Sequence, residues 1–211
     1  LPKFWKMICM MSWKKLIFKL GKSFLIFAAL FFSAGFIISA VAHEENEALS
    51  NDFSGGDFTL KSADGPLSLQ DLRGSVVLMF FGYTSCPTVC PISLATITNV
   101  YTKMSAAELQ GTRTLFISLD PERDNLELLK QYTNYFHPNI TGLTADISVI
   151  KKVAQQYGVK YKKTLVPDSA LGYVISHSAD IIIVDRDGIL RMTFPHDTDS
   201  APLLKQLKLL L

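Results

Sequence analysis

The chain has 211 residues, 48% of them hydrophobic and 19% charged, which excludes disorder for its bulk. Its formal net charge of +2 conceals two unlike pieces: residues 1–42 hold six lysines and no acid, while residues 43–211 hold the other 15 bases and all 19 acids, a net of −4. The basic excess therefore lies in the leader and gives no case for a nucleic-acid partner, and three cysteines are too few for a disulfide-stapled scaffold.

Residues 24–42 run for 19 positions without a charge, just after Lys14, Lys15, Lys19 and Lys22. The segment is apolar all round and rich in Phe, which predicts a membrane-directed leader rather than a core helix. Two outcomes fit. Ala40-Val41-Ala42 has the A-x-A form of a signal cleavage site, and the length nearly suffices to span a bilayer uncleaved, as an N-terminal anchor. Either way the lysines stay in the cytoplasm and residues 43 onward are exported, to the periplasmic side of an inner membrane. Met7, Met10 and Met11 are candidate starts; a start at Met11 leaves Cys9 outside the protein, so Cys9 is given no role. Cys86 and Cys90 then remain, in a compartment that permits disulfides and unusual thiol chemistry.

Residues 43–51 are acidic and polar and read as a linker, followed by one domain over residues 52–211. Residues 52–60 suggest a short hairpin around Gly55-Gly56, with Asp64-Gly65 as a second turn. A brief segment over residues 67–72 closes at Arg73-Gly74. Residues 76–81 (VVLMFF) form an apolar run of strand length, suited to a strand buried on both faces. Residues 82–91 are then a loop entering a helix over about 91–104, Pro91 being acceptable in a first turn. Residues 112–119 predict a strand, 120–124 a polar turn and 125–136 a helix ended by His137-Pro138. A short strand follows at 141–144, then a helix capped by Asp146 and stopped by Gly158. Residues 159–162 look extended and 164–172 look like a loop. The run 181–184, the turn Asp185-Arg186-Asp187-Gly188 and the return over 189–194 carry the strongest hairpin signal in the chain. Residues 202–211 close with a short helix. This order predicts an α/β fold: a central mixed sheet with parallel crossovers, flanking helices and an antiparallel edge hairpin.

Cys86 and Cys90 stand four apart between a buried strand and a helix, a spacing that on one helical turn puts both sulfurs on one face. They can pair as a disulfide or grip one soft metal ion. A helix N-terminus lowers thiol pKa and favours the thiolate, the form that binds metal or attacks a disulfide. The bland reading is a stabilising disulfide, although so small a loop restricts little chain entropy. Two thiolates alone can hold Cu(I), and a third ligand widens the range to Cu(II). Among the histidines, His43 lies in the linker, His137 at a helix end as a surface or capping residue, and His196 beyond the last strand. His177 precedes an apolar strand, between two serines in an expected loop, and is the candidate third ligand; a satisfied, non-ligating histidine is its alternative. Sulfur plus imidazole selects copper or zinc over hard cations, and Cys2His with an open position also fits catalytic zinc. Asp120, at the carboxyl end of a strand where open α/β folds bind ligands, is either a site residue or a turn starter before Pro121.

Several blocks resemble the Sco/SenC family. They are Gly82-Tyr83-Thr84-Ser85-Cys86-Pro87-Thr88-Val89-Cys90-Pro91, Ser118-Leu119-Asp120-Pro121-Glu122-Arg123-Asp124, residues 138–144 (PNITGLT), and His177-Ser178-Ala179 with the strand and Asp-Gly turn after it. The resemblance spans about 53–194 in order. It implies a thioredoxin-like fold, usually with a membrane anchor, and a copper metallochaperone that helps metallate the binuclear copper centre of cytochrome c oxidase subunit II. By the same resemblance the copper ligands are Cys86, Cys90 and His177, with Asp120 in an outer-shell or redox-tuning role. The implied partners are a copper donor protein and the oxidase subunit or another copper acceptor. Some members of the family are thought to be thiol–disulfide reductases, which would make Cys86 and Cys90 a catalytic redox pair acting on exported cysteines. Thr84 before Cys86 also loosely evokes a peroxidase.

Overall fold

Seven consecutive buried residues, Val76–Gly82 (β3), can lie only in the middle of a sheet covered on both faces. In the computed structural model, which describes residues 55–167 and 169–211, β3 pairs in parallel with Thr112–Ser118 (β4), from Val76 opposite Thr112 to Gly82 opposite Ser118. Beyond β4 lies Ile140–Leu143 (β5), also parallel. On the other side of β3 comes Ile181–Val184 (β8), antiparallel and fully buried, and then Leu190–Phe194 (β9) at the edge. The strand order β5-β4-β3-β8-β9 is the expected mixed sheet with its antiparallel edge hairpin.

The Asp185 turn that joins β8 to β9 is closed by its own first residue. Asp185 Oδ1 accepts from the amides of Asp187 (3.0 Å) and Ile189 (2.8 Å), and Gly188 takes the left-handed φ of +75°.

The helices bury one stripe each. In Val89–Tyr101 (α1), Cys90, Leu94, Ile97 and Tyr101 recur at helical spacing and face the core. The Tyr101 hydroxyl meets Thr114 of β4 at 2.5 Å, so its polar tip is not stranded in the interior. Ala106–Gln110 (α2) carries a capping box in which Ser105 and Glu108 bond each other's amides. Leu126–Phe136 (α3) is capped by Asn125 and ends at His137. Ile147–Gln156 (α4) buries Ile150, Val153 and Ala154 and stops at Gly158, φ +71°. Ser200–Leu210 (α5) packs on α1.

Four expectations are corrected. The first hairpin is not centred on Gly55-Gly56: Thr59–Ser62 (β1) pairs with Gly65–Ser68 (β2) across Ala63-Asp64. The two glycines instead let the backbone approach α4, where Tyr157 and Gln156 donate to the carbonyls of Gly56 (2.7 Å) and Gly55 (3.0 Å). Residues 164–172 are not one loop, because Tyr161–Val166 (β6) and Gly172–His177 (β7) form a two-stranded sheet of their own. His177 is therefore the last residue of a strand rather than a loop residue. Asp146 stands at the N-cap of α4 but makes no side-chain cap bond.

The leader (1–42) and linker (43–51) lie outside the described residues. Among the described residues no helix is long and apolar enough to cross a membrane.

Candidate metal centre

The parallel register of β3 and β4 ends both strands side by side, at Gly82 and Ser118, and both following turns open at that edge. Residues 83–88 form an irregular loop and α1 begins at Val89. Cys90 is thus in the first turn of the helix, whereas Cys86 precedes it. The two cysteines do not share a helical turn, as the spacing had suggested. The loop brings their sulfurs together instead: the Cys86 amide donates to Tyr83 O (3.2 Å), folding the chain back over the helix N-terminus. Both are free thiols. Cys90 is fully buried and Cys86 is 9% exposed, so only one sulfur is near solvent.

β7 delivers the third group. His177 Nε2 lies 3.8 Å from Cys90 Sγ. Its Nδ1 is 2.9 Å from the carbonyl oxygen of Ser178, which can only accept, so Nδ1 is a donor there and Nε2 is the ring nitrogen that faces the sulfurs. The edges of Phe80 and Tyr83 flank the ring, with centroids at 6.2 and 6.1 Å. The ligand atoms of Cys86, Cys90 and His177 all lie within 4.8 Å of one another. Two sulfurs and one imidazole nitrogen are a soft donor set, fitted to copper or zinc and not to a hard cation.

The two thiols are unequal. A hydrogen bond from Cys90 holds the Cys86 thiol down to about 3, with a further contribution from His177, against the opposing effect of burial. The bond it donates to Cys86, together with its own burial, pushes Cys90 the other way. The reduced pair is therefore a thiolate at Cys86 and a protonated donor at Cys90, with the nucleophile on the accessible sulfur.

Asp120 is buried but bonds none of these three residues. It pairs with Arg123, and its Oδ1 accepts from the Tyr173 hydroxyl at 2.7 Å. Asp124, four residues on, was not singled out by the sequence. Fully buried, it accepts from Thr84 N (3.1 Å), Thr84 Oγ1 (2.5 Å) and Ser118 Oγ (2.6 Å), and so fixes the loop that leads to Cys86. The readable signal was an aspartate immediately before the helix cap Asn125, one more acid than capping requires. His137 ends α3, accepts from the Asn139 amide at 3.0 Å, and is no part of the thiol cluster; nor is His196. His43 lies outside the described residues.

A dithiol at the end of a central strand and the start of a helix, on this sheet order, defines a thioredoxin-like protein, here with an imidazole added to the thiol pair. The chain belongs to the SCO1/SenC family, whose model matches residues 46–211. It is 33% identical to a SCO2-like protein of Rickettsia felis over 155 residues, 73% of this chain and 75% of the relative. Among solved structures it is similar to Bradyrhizobium japonicum ScoI with copper bound, at 36% identity and a TM-score of 0.68, covering 75% of this chain and 99% of that one. It is also similar to BsSco, described as a member of the Sco family of cytochrome c oxidase assembly proteins in which a disulfide switch was identified. There the identity is 26% and the TM-score 0.58, with 74% of this chain and 92% of that one covered.

Proposed function

We propose that the protein is a copper metallochaperone for cytochrome c oxidase assembly, with copper as its cargo. The observation that carries this reading is the convergence of Cys86, Cys90 and His177 within 4.8 Å. The similarity to a copper-bound ScoI supports the choice of copper over zinc. Cys86, the accessible thiolate, is the first sulfur to meet an incoming ion. Cys90 gives up its proton as the ion binds, and His177 Nε2 completes a three-ligand site. Release proceeds by ligand exchange with thiols of an acceptor, subunit II of the oxidase or another copper protein, and loading from a copper donor runs the same way. In this proposal residues 1–42 are a signal peptide or membrane anchor, 43–51 a linker, and 52–211 the working domain on the periplasmic side.

A second reading, a thiol–disulfide oxidoreductase, is favoured by one observation: a low-pKa sulfur nearer to solvent, backed by a fully buried thiol, is the attacking and resolving arrangement of a redox pair. It needs Cys86 and Cys90 but not His177.

The deciding experiment is metal analysis with copper spectroscopy on the reduced chain beside His177→Ala. One copper per chain, with imidazole-nitrogen coupling lost in the variant, is expected. The variant should bind at least a hundredfold more weakly, because losing a group that merely orients a ligand already costs roughly 10–100-fold. Equal copper binding by the parent and by a Cys86→Ser, Cys90→Ser, His177→Ala triple variant would end the chaperone reading. Disulfide exchange retained in His177→Ala, with no copper bound by the parent, would establish the second.

A further inference from the structure

The strand that carries His177 is not part of the main sheet. β6 and β7 hydrogen-bond only to each other as strands, so side chains must hold the hairpin against the domain. Ile175 is buried in the main core, and the polar ties come mainly from the turn after β4. Arg123 Nη1 donates to the carbonyls of Leu171 (3.2 Å) and Tyr173 (3.3 Å). Its guanidinium lies 3.7 Å from the centroid of the Tyr173 ring and 5.7 Å from that of Tyr83. Arg123 Nη2 is buried without a hydrogen-bond partner, so the ring faces are what meet its charge there. Asp120 completes the unit, pairing with Arg123 and accepting from the Tyr173 hydroxyl. Glu122 adds an outer tie to Lys163 of β6 at 2.6 Å, and the Lys163 ammonium sits 3.8 Å from the Tyr173 ring. Among the described residues two longer polar ties add to these, from the Ile175 amide to Tyr83 Oη at 3.5 Å and between His177 Nε2 and Cys90 Sγ at 3.8 Å.

We propose that Asp120, Arg123 and Tyr173 are positioning residues that set how fast His177 leaves the two sulfurs, and so how fast the ion is given up. Tyr173 is four residues before His177 on one strand, so loosening it frees the strand end that carries the imidazole. The Cys86–Cys90 pair is anchored by β3, α1 and Asp124 and not by Tyr173, so it stays in place when Tyr173 is loosened. Closed, the latch keeps three ligands converged; open, it leaves a two-sulfur site from which an acceptor thiol can take the ion. The inference rests on the metallochaperone reading for its purpose, but not for its geometry.

The test uses the full reduced chain, with Cu(I) as probe and a chromogenic Cu(I) chelator as acceptor. Tyr173→Ala should keep one copper per chain and release it about tenfold faster, the equivalent of about 1.4 kcal/mol. Tyr173→Phe keeps the ring between the two cations and loses only the bond to Asp120, so it should fall between parent and Tyr173→Ala. In a His177→Ala background, Tyr173→Ala should change the release rate no further, because the latch acts through that imidazole; a purely structural role would not show this dependence. Equal acceleration in both backgrounds, or none in either, overturns the proposal. If the parent binds no Cu(I), the metallochaperone reading fails by itself, and amide hydrogen exchange of the metal-free chain decides the latch. Residues 173–177 should then exchange faster in Tyr173→Ala than in the parent while α1 is unchanged, and equal exchange overturns it.

Discussion

Gly82 is in register with Ser118 and directly under Cys90: a Cβ placed on Gly82 would stand 2.7 Å from Cys90 Sγ, 3.0 Å from Phe116 and 3.1 Å from Phe80. The buried sulfur therefore rests on bare backbone, and the space beside Gly82 is also closed by the two buried rings of Phe116 and Phe80. Gly82→Ala should cost about 1–3 kcal/mol of stability, the usual range for overpacking. It should also displace Cys90 and weaken copper binding. Chemical denaturation and Cu(I) competition check the two effects; a variant with parental stability and affinity would show that the sulfur can move aside.

The unequal thiols give a pH prediction. Thiolate, not thiol, reacts with iodoacetamide, and an ordinary cysteine loses about tenfold of its thiolate for each pH unit below about 8.5. Cys86 is held well below the ordinary thiol range, first by the hydrogen bond from Cys90. Its alkylation rate should stay flat from pH 8 down to about 5, slow in absolute terms because it is largely buried. Cys90→Ala removes the principal cause, so the rate should fall as the pH drops through the same range. Mass-spectrometric rates for Cys86 in both proteins decide it. A tenfold loss per unit in the parent would show that the donated bond is not formed.

Asp124 offers a structural test. Asp124→Ala strips partners from the Thr84 amide and hydroxyl and from Ser118, and should cost about 2–5 kcal/mol in urea denaturation. Burial raises the Asp124 carboxyl above its ordinary value. A group with a raised folded-state pKa contributes fully below its unfolded value and loses that contribution as the pH rises through the folded one. The stability gap between parent and variant should therefore widen as the pH is lowered toward the carboxylate range. A gap that narrows would mean that the hydrogen bonds to Asp124 outweigh its burial.

Oxidation tests the two proposed activities against each other. A Cys86–Cys90 disulfide consumes both sulfur ligands, so oxidised protein should bind no copper and recover it fully with reductant. The closed loop is short, so the bond should add only about 2 kcal/mol of stability. Copper retained by fully oxidised protein would place the site elsewhere.

Much of this was legible in the sequence because it rests on local rules. The buried run of β3, the Asp185 turn, the Asn125 cap and the helix stop at Gly158 each follow from a few neighbouring residues. What was not legible depended on distant partners. β6 is mostly exposed and broken by lysines, so no periodicity marks it as a strand; its pairing with β7 does. The i,i+4 spacing of the cysteines suggested a shared helical turn, but the chain does not become helical until Val89. Asp124 looked like one more turn residue, because its value lies in Thr84, forty positions away. The α2 helix was missed although Ser105 and Glu108 spell its capping box, since five residues give no hydrophobic period to read.

The paired ends of β3 and β4 also govern which changes of chain length the molecule can absorb. Because Gly82 and Ser118 end their strands opposite each other, the thiol loop and the Asp120–Asp124 turn start from a shared baseline. A single residue inserted in either strand would invert the faces of everything beyond it and part Thr84 from Asp124. At the tip of the β6–β7 hairpin, residues added ahead of Leu171, whose carbonyl Arg123 holds, would leave the pairing of Tyr161 with His177 unaltered. Natural or engineered length variation should therefore collect at that tip and be absent from the two central strands.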